Sequence, residues 1–533
     1  MAHHHHHHMM GKGFLDCESL VALQEMALHP IDLTASGCLS EERIQKNSLS
    51  VEGFTYSYAT ERVDDRCLEA LQGLTEEREL IKQMECMQQG AIMNRIEGFQ
   101  SESRPVLHTA TRAWVRDQDL HEEAAAIARH SKEEALRLAE FLYIARAKFS
   151  TLVQIGIGGS ELGPKAMYFA MQGSCPSDKR IFFVSNIDPD NAAEVLREID
   201  LEQTLVVVVS KSGTTLEPAA NEELFRQAYQ NKGLSIAEHF VAVTSQGSPM
   251  DDKSRYLEVF HLWDSIGGRF SATSMVGGVV LGFAFGYEAF IEFLQGAAAI
   301  DAHALTPKMR ENLPLLSAML GVWNRNLLGY PTTAVIPYST GLKYFTAHLQ
   351  QCGMESNGKS ISREGKEISF RTSPIIWGDV GTNCQHSFFQ SLHQGTDIVP
   401  VEFIGFLHNQ RGLDCVLSGS SSSQKLFANL VAQSLALAQG RDNANPNKRF
   451  KGNSPSSILV AQQLSPRIAG SLLAFYEHKF AFQGFCWGIN SFDQEGVSLG
   501  KELATQIIGI MSGNAPVEFP EARGVLRLFN VLT

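Results

Sequence analysis

The chain has 533 residues with 44% hydrophobic content, enough to bury several cores and, on length, roughly three domains. Its 45 Lys and Arg against 58 Asp and Glu leave a net charge of −13, which argues against nucleic acid or an anionic membrane as the main partner while leaving room for a local basic pocket. Past the tag there is no signal peptide and no apolar run of membrane-spanning length, so the chain is expected to stay in the cytoplasm.

Residues 1–8 hold a six-histidine purification tag. From there to about residue 120 the sequence is polar and helix-prone with few strand signals, and reads as a helical N-terminal region packing on the larger domain. Within it Arg104, His108 and Arg112 recur at helical spacing, although Pro105 limits how early that helix begins. Residues 121–148 are strongly amphipathic, with Ala, Leu and Phe on one face and charges on the other.

Between 151 and 268 strands alternate with helices in the order of a parallel sheet, at 152–157, 180–185, 205–209, 239–244 and 257–262. A helical connection over 281–328 leads to a second alternation, with strands at 332–337, 374–377, 398–407 and 458–464 and helices at 341–352, 424–439 and 465–482. The expected fold class is therefore α/β, with αβα domains at 121–290 and 291–533, and their loop clusters imply a crevice and an enzyme. Nine scattered cysteines without a Cys-x-x-Cys pair read as reduced packing residues.

The valines 206–209 lead into Ser210, Lys211, Ser212, Gly213, Thr214 and Thr215, with Glu217 three residues after Thr214 as in a capping box and Pro218 suited to a first helical turn. A strand feeding a hydroxyl-rich turn and a helix N-terminus is a ready phosphate site, the alternative being an ordinary βα loop with a good cap. It lacks the spacing of a Walker loop. Residues 154–164, QIGIGGSELGP, form a second glycine-rich turn that resembles half a dinucleotide fingerprint with misfitting spacing. Together the two turns suggest recognition of one phosphomonoester.

Arg269, after Gly267 and Gly268, is either a surface cation or a fixed charge for a developing oxyanion. Glu355 follows a helix expected to stop at Gly353. A carboxylate near the negative end of a helix is disfavoured as an anion, which suits a general base, although most glutamates near helix ends are simply solvated. His386 and His393, seven apart, are expected on one helical face, and no His-Glu-x-x-His or paired-cysteine pattern supports a metal. Lys501 falls on the apolar side of the last strong helix, beside Val497, Ala504 and Ile508, where it either snorkels to water or meets an anion.

The stretches IGIGGSELGP, SKSGTT, GGRFS, QQCGMESNGKS, GTNCQH and NSFDQEGVSLGK resemble the glucose-6-phosphate isomerase (phosphoglucose isomerase) family from about residue 94 to 508. The resemblance implies two αβα sugar-isomerase (SIS-type) domains with parallel-rich sheets and helical extensions, a homodimer, and no cofactor. It further implies that Gly159, Ser160, Ser210, Ser212 and Thr215 hold the phosphate of a small sugar phosphate, and that Glu355 moves a proton between C1 and C2 while Arg269 stabilises the enediolate. His386, from the partner subunit, and Lys501 would open the ring, and Gln351 and Gln494 would contact sugar hydroxyls. Ser498 stands where the family usually has glutamate, and Cys384 where it usually has glycine. Two rivals remain. A sugar-phosphate-binding regulator on the same domains has no use for Glu355, Arg269, His386 and Lys501 together. A nicotinamide dehydrogenase would need an acidic ribose contact such as Asp188.

Overall fold

The computed structural model describes residues 12–116, 118–514 and 517–532; the purification tag lies outside them. The chain divides into two compact units, residues 1–491 and 492–533. In the first unit the N-terminal helices enclose one interruption, a hairpin of β1 (Ser48–Val51) and β2 (Phe54–Ser57). This departs from the expected helical N-terminal region, and the reason is local. Glu52 and Gly53 both have positive φ, 53° and 83°, the geometry of a two-residue hairpin turn, and Phe54 and Tyr56 alternate inward around exposed Thr55.

The first sheet holds β3 (Thr151–Ile155), β4 (Arg180–Val184), β5 (Thr204–Val209), β6 (Phe240–Ser245) and β7 (Glu258–Leu262), all parallel in the order β4-β3-β5-β6-β7. Every residue of β3 and β5 is buried, as a run of β-branched residues between two helical layers requires. One face packs on the helices Pro189–Glu198 and Leu216–Asn231 through Ala192, Val195, Phe225 and Tyr229. The helix Met275–Phe285 also lies against this sheet; its first ten residues are all buried, which explains its lack of a polar face.

The second sheet takes β8 (Thr332–Pro337), β9 (Ile375–Trp377), β10 (Val401–Phe406) and β13 (Ser456–Ala461), parallel to one another, with the N-terminal hairpin added antiparallel at the edge in the order β1-β2-β13-β10-β8-β9. Strands β11 (Val416–Leu417) and β12 (Ser420–Ser421) form a separate two-stranded ribbon. All nine strands expected in the two alternations are present within a few residues of their expected limits. Among the described residues no helix is long and apolar enough to cross a membrane. Most cysteines are buried or half-buried, and Cys415 is exposed and so has no packing role.

The helix Tyr287–His303, in the connection between the sheets, crosses Pro466–Trp487, the helix after β13, at backbone contact. A Cβ on Gly296 would lie 1.8 Å from the Arg467 carbonyl oxygen, and one on Gly470 would lie 1.9 Å from that of Phe293. Ser471 donates to the Gly296 carbonyl at 2.9 Å. Backbone on both sides cannot yield without parting the helices. Gly296→Ala is therefore expected to cost about 3 kcal/mol or more, read as a lowered unfolding midpoint. Gly524→Ala, on a helix where an added Cβ meets nothing, should leave the midpoint unchanged or raise it slightly.

Candidate active site

The turns after β3, β5 and β7 leave the same edge of one parallel sheet, where such sheets bind ligands. After β3, Gly158–Ser160 makes a single 3-10 turn, and after β7, Gly268–Phe270 makes another. The two touch backbone to backbone: a Cβ on Gly159 would sit 2.2 Å from the carbonyl carbon of Gly268 and 2.7 Å from the nitrogen of Arg269. Glycine at 159 is thus a requirement of packing Arg269 beside the turn. Beneath it, Gln154 on β3 donates to the Ser160 carbonyl at 3.1 Å and to that of Val276 at 3.2 Å.

After β5 the hydroxyls bond one another. Ser210 donates to Thr215 Oγ1 at 3.2 Å and accepts from the Gly213 N–H at 3.1 Å, while Thr214 donates to Ser212 Oγ at 3.0 Å. The expected capping box is therefore replaced. Thr214 spends its hydroxyl on Ser212, Thr215 takes the N-cap of Leu216–Asn231, and no side chain caps the helix. The free N–H groups of that first turn and the exposed Ser212 and Thr215 face outward to solvent or ligand. Lys211, in the same loop, donates to the carbonyl of Ile266 at 2.8 Å, and burial lowers its basicity. Its ammonium ties this loop to the approach to Arg269.

Arg269 is buried, not a surface cation. It donates through Nη1 to Glu355 Oε1 at 3.1 Å, through Nε to Ser356 Oγ at 2.7 Å and through Nη2 to the Ser491 carbonyl at 2.7 Å; its side chain is 1% exposed against 25% for Glu355. The helix carrying Glu355 does not stop at Gly353. It runs as α-helix over Phe345–Leu349, widens to a π-helix over Gln350–Glu355, and continues to residue 357. Gly353 allows close packing rather than ending the helix: a Cβ there would lie 2.4 Å from Ile376 and 2.9 Å from Phe480. Glu355 thus lies opposite a guanidinium instead of alone beyond a helix end. The same widened turn brings Gln351 to the glycine turn, its Nε2 3.3 Å from where a Cβ on Gly158 would be.

Gly159, Ser160, Arg269, Gln351 and Glu355 are therefore brought together, with Ser210, Ser212 and Thr215 in the turn after β5, the strand next to β3. His386 and His393 do not share a helix. His386 is exposed at the end of a 3-10 turn, Asn383–His386, while His393 sits on the helix Phe389–Gln394 and shares a 2.7 Å hydrogen bond with Gln433. Cys384 is buried with Ala334, Ile336 and Phe389, so its thiol fills core space. Gln494 and Lys501 belong to the second unit, where Lys501 is exposed on the helix Ser498–Ser512 and extends to water, and Ser498 donates to the Glu495 carbonyl at 2.7 Å. Ser356 escaped the sequence reading, although its place beside Glu355 was a usable signal. An open cleft of about 790 Å³ lined by His393, Arg441, Arg449 and Lys451 includes none of the other candidates.

The model of the family described as phosphoglucose isomerase matches residues 57–519. The chain is 99% identical to the glucose-6-phosphate isomerase of Chlamydia trachomatis serovar D over 98% of its own length and all of that protein, and 51% identical to that of Protochlamydia amoebophila over 93% and 92%. The crystal structure of a glucose-6-phosphate isomerase from Chlamydia trachomatis D/UW-3/Cx superposes with a TM-score of 0.96 at 99% identity, covering 98% of this chain and 100% of that one. A Thermus thermophilus protein at 25% identity, with 84% of this chain and 99% of that chain covered, still gives 0.64. With the match covering far more than half its length and relatives this similar, the chain belongs to the phosphoglucose isomerase family.

Proposed function

We propose that the chain interconverts glucose 6-phosphate and fructose 6-phosphate, an aldose–ketose isomerisation on the path of glycolysis and gluconeogenesis, in the cytoplasm. The observation that carries this is the Arg269–Glu355 pair at 3.1 Å beside the hydroxyl and glycine turns. A proton α to a carbonyl needs a base held beside a fixed positive charge. In the open-chain sugar Glu355 takes the proton from C2, the electron pair moves to the carbonyl oxygen as an enediolate, Arg269 stabilises that charge, and the proton returns to C1 while a hydroxyl proton moves between the oxygens. Ser160, Ser210, Ser212 and Thr215, with the backbone at Gly159 and the Leu216–Asn231 N-terminus, hold the phosphate. Gln351 and Gln494 contact sugar hydroxyls.

In this reading Lys501 and His386 open the ring, with His386 supplied by the partner subunit of a homodimer. Its support is that His386 is exposed and that the C-terminal unit leaves Leu499, Ile508, Met511, Leu528 and Phe529 about half exposed or more, an apolar surface suited to a second copy.

Purified protein in chelator, with no cofactor added, should convert fructose 6-phosphate; binding without conversion would favour the regulator. Glu355→Gln should lower kcat roughly 10²–10⁴-fold with KM little changed. Ser210→Ala should instead raise KM about tenfold while leaving kcat within a few-fold, by loss of a hydrogen bond to a charged ligand. Equal effects of the two variants on KM would sink the division of roles. The shared site is tested by mixing subunits: co-expressed Glu355→Gln and His386→Ala chains should regain activity that neither has alone, and no gain would place His386 within its own subunit.

A further inference from the structure

Behind the site lies an ionic cluster that the proposed chemistry does not use. Arg112 donates to both carboxylate oxygens of Asp301 at 2.6 and 2.8 Å and to Glu477 at 2.8 Å, and His478 meets Asp301 at 2.6 Å. All four side chains are almost wholly buried. They come from the helices Ala110–Ala113, Tyr287–His303 and Pro466–Trp487. Charges so deep are costly to desolvate, and an apolar set of the same volume would often serve stability as well. Their contacts suggest what they do instead.

The cluster touches the segment carrying Arg269 at two points. Arg112 donates to Thr273 Oγ1 at 3.3 Å, and Thr273 lies 2.8 Å from Thr111 Oγ1, whose own proton goes to the His108 carbonyl at 2.6 Å. The Thr273 hydroxyl therefore donates to Thr111 and accepts from Arg112, filling both roles. His108, fully buried, stacks on Phe270 at 4.6 Å between ring centroids and lies 6.2 Å from the His478 ring. Burial and the nearby guanidinium of Arg112 keep His108 neutral, so it supports Phe270 without adding a charge beside Arg269.

We propose that the Arg112–Asp301–Glu477–His478 cluster is a positioning device for Arg269, gripping the 269–274 segment through Thr273 and, by way of His108, through Phe270, so that the guanidinium stays aimed at Glu355. The inference rests on Arg269 acting on the reacting atoms as proposed above. Arg112, Asp301, Thr273 and His108 are then positioning residues, and none of them touches substrate.

Removing a member of the ion cluster would leave a buried charge without its partner and confuse misfolding with mispositioning, so the test cuts the link instead. Thr273→Val leaves Arg112 bonded to Asp301 and Glu477. It should lower kcat about tenfold in both directions with KM within about twofold, since small displacements of a fixed charge act on the reacting state. Thr273→Ser, which keeps both hydrogen bonds, should restore kcat to within about twofold of the parent. In an Arg269→Lys background Thr273→Val should add no further loss. Thr273→Ala removes the same hydroxyl without the added methyl and gives a second reading should the valine variant fold poorly. Parental kcat in a folded Thr273→Val or Thr273→Ala protein, or losses that multiply with Arg269→Lys, would overturn the positioning role. Full kcat in Arg269→Lys alone would instead remove the role of Arg269 itself.

Discussion

A buried guanidinium is the constraint around which the first unit is arranged. Arg269 keeps its charge at any pH the protein meets, so almost complete burial is tolerable only with fixed acceptors around it. The carboxylate of Glu355, the hydroxyl of Ser356 and the carbonyl of Ser491 supply them, all from segments that follow the second sheet's first strand, while Arg269 itself follows the last strand of the first sheet. A single side chain therefore joins the turn after the first sheet's last strand to the end of the helix after β8 and to the segment after the helix Pro466–Trp487. Fold and site are held by the same bonds.

That requirement explains features that look unrelated. The glycine turn after β3 must let the backbone of Gly268 and Arg269 approach within contact of Gly159. The helix after β8 must carry two adjacent residues, Glu355 and Ser356, to one guanidinium while turning Gln351 toward Gly158. An α-helix places neighbours about 100° apart around its axis. The widened turn over Gln350–Glu355 alters that phase locally, and such turns are frequent at functional sites for this reason. Asn357 fastens the end of this helix, donating to the Phe480 carbonyl at 2.9 Å and accepting from Ser491 Oγ at 2.6 Å.

Much of this was legible in the sequence where a signal is local and periodic. The strands of both parallel alternations declare themselves by short β-branched runs between turn residues, and the phosphate-type loops by hydroxyls and glycines at their ends. What escaped depended on contacts across the chain. Gly353 reads as a helix stop because glycine usually ends helices, and only Ile376 and Phe480, distant in sequence, reveal that it makes room. Thr214 satisfies the capping pattern, yet a hydroxyl two residues back competes for it. The seven-residue spacing of His386 and His393 implied one face, but the helix begins only after His386. Arg112 was visible as a repeat with Arg104 and His108; its partners Asp301 and Glu477 lie hundreds of residues away, where no spacing rule reaches. The hairpin at residues 48–57 is different, for its turn residues and alternation were present but confined to two four-residue strands.

The charge balance bears on how such a site can work. In a chain of net charge −13, an anionic ligand is disfavoured at long range, so local groups must outweigh the field at the binding turn. Lys211 is poorly suited to that task, because its ammonium is already committed to the Ile266 carbonyl and burial lowers its basicity. What remains at the turn is a helix N-terminus without a side-chain cap and a set of hydroxyls that can rotate to donate. In the proposed division of labour these fixed dipoles hold the phosphate, whose charge does not change during reaction, and the buried guanidinium of Arg269 is kept for the oxygen whose charge does. A free lysine or arginine at the turn would tighten the ground state and the reacting state alike, lowering KM without raising kcat, whereas Arg269, held against Glu355, acts where the two states differ.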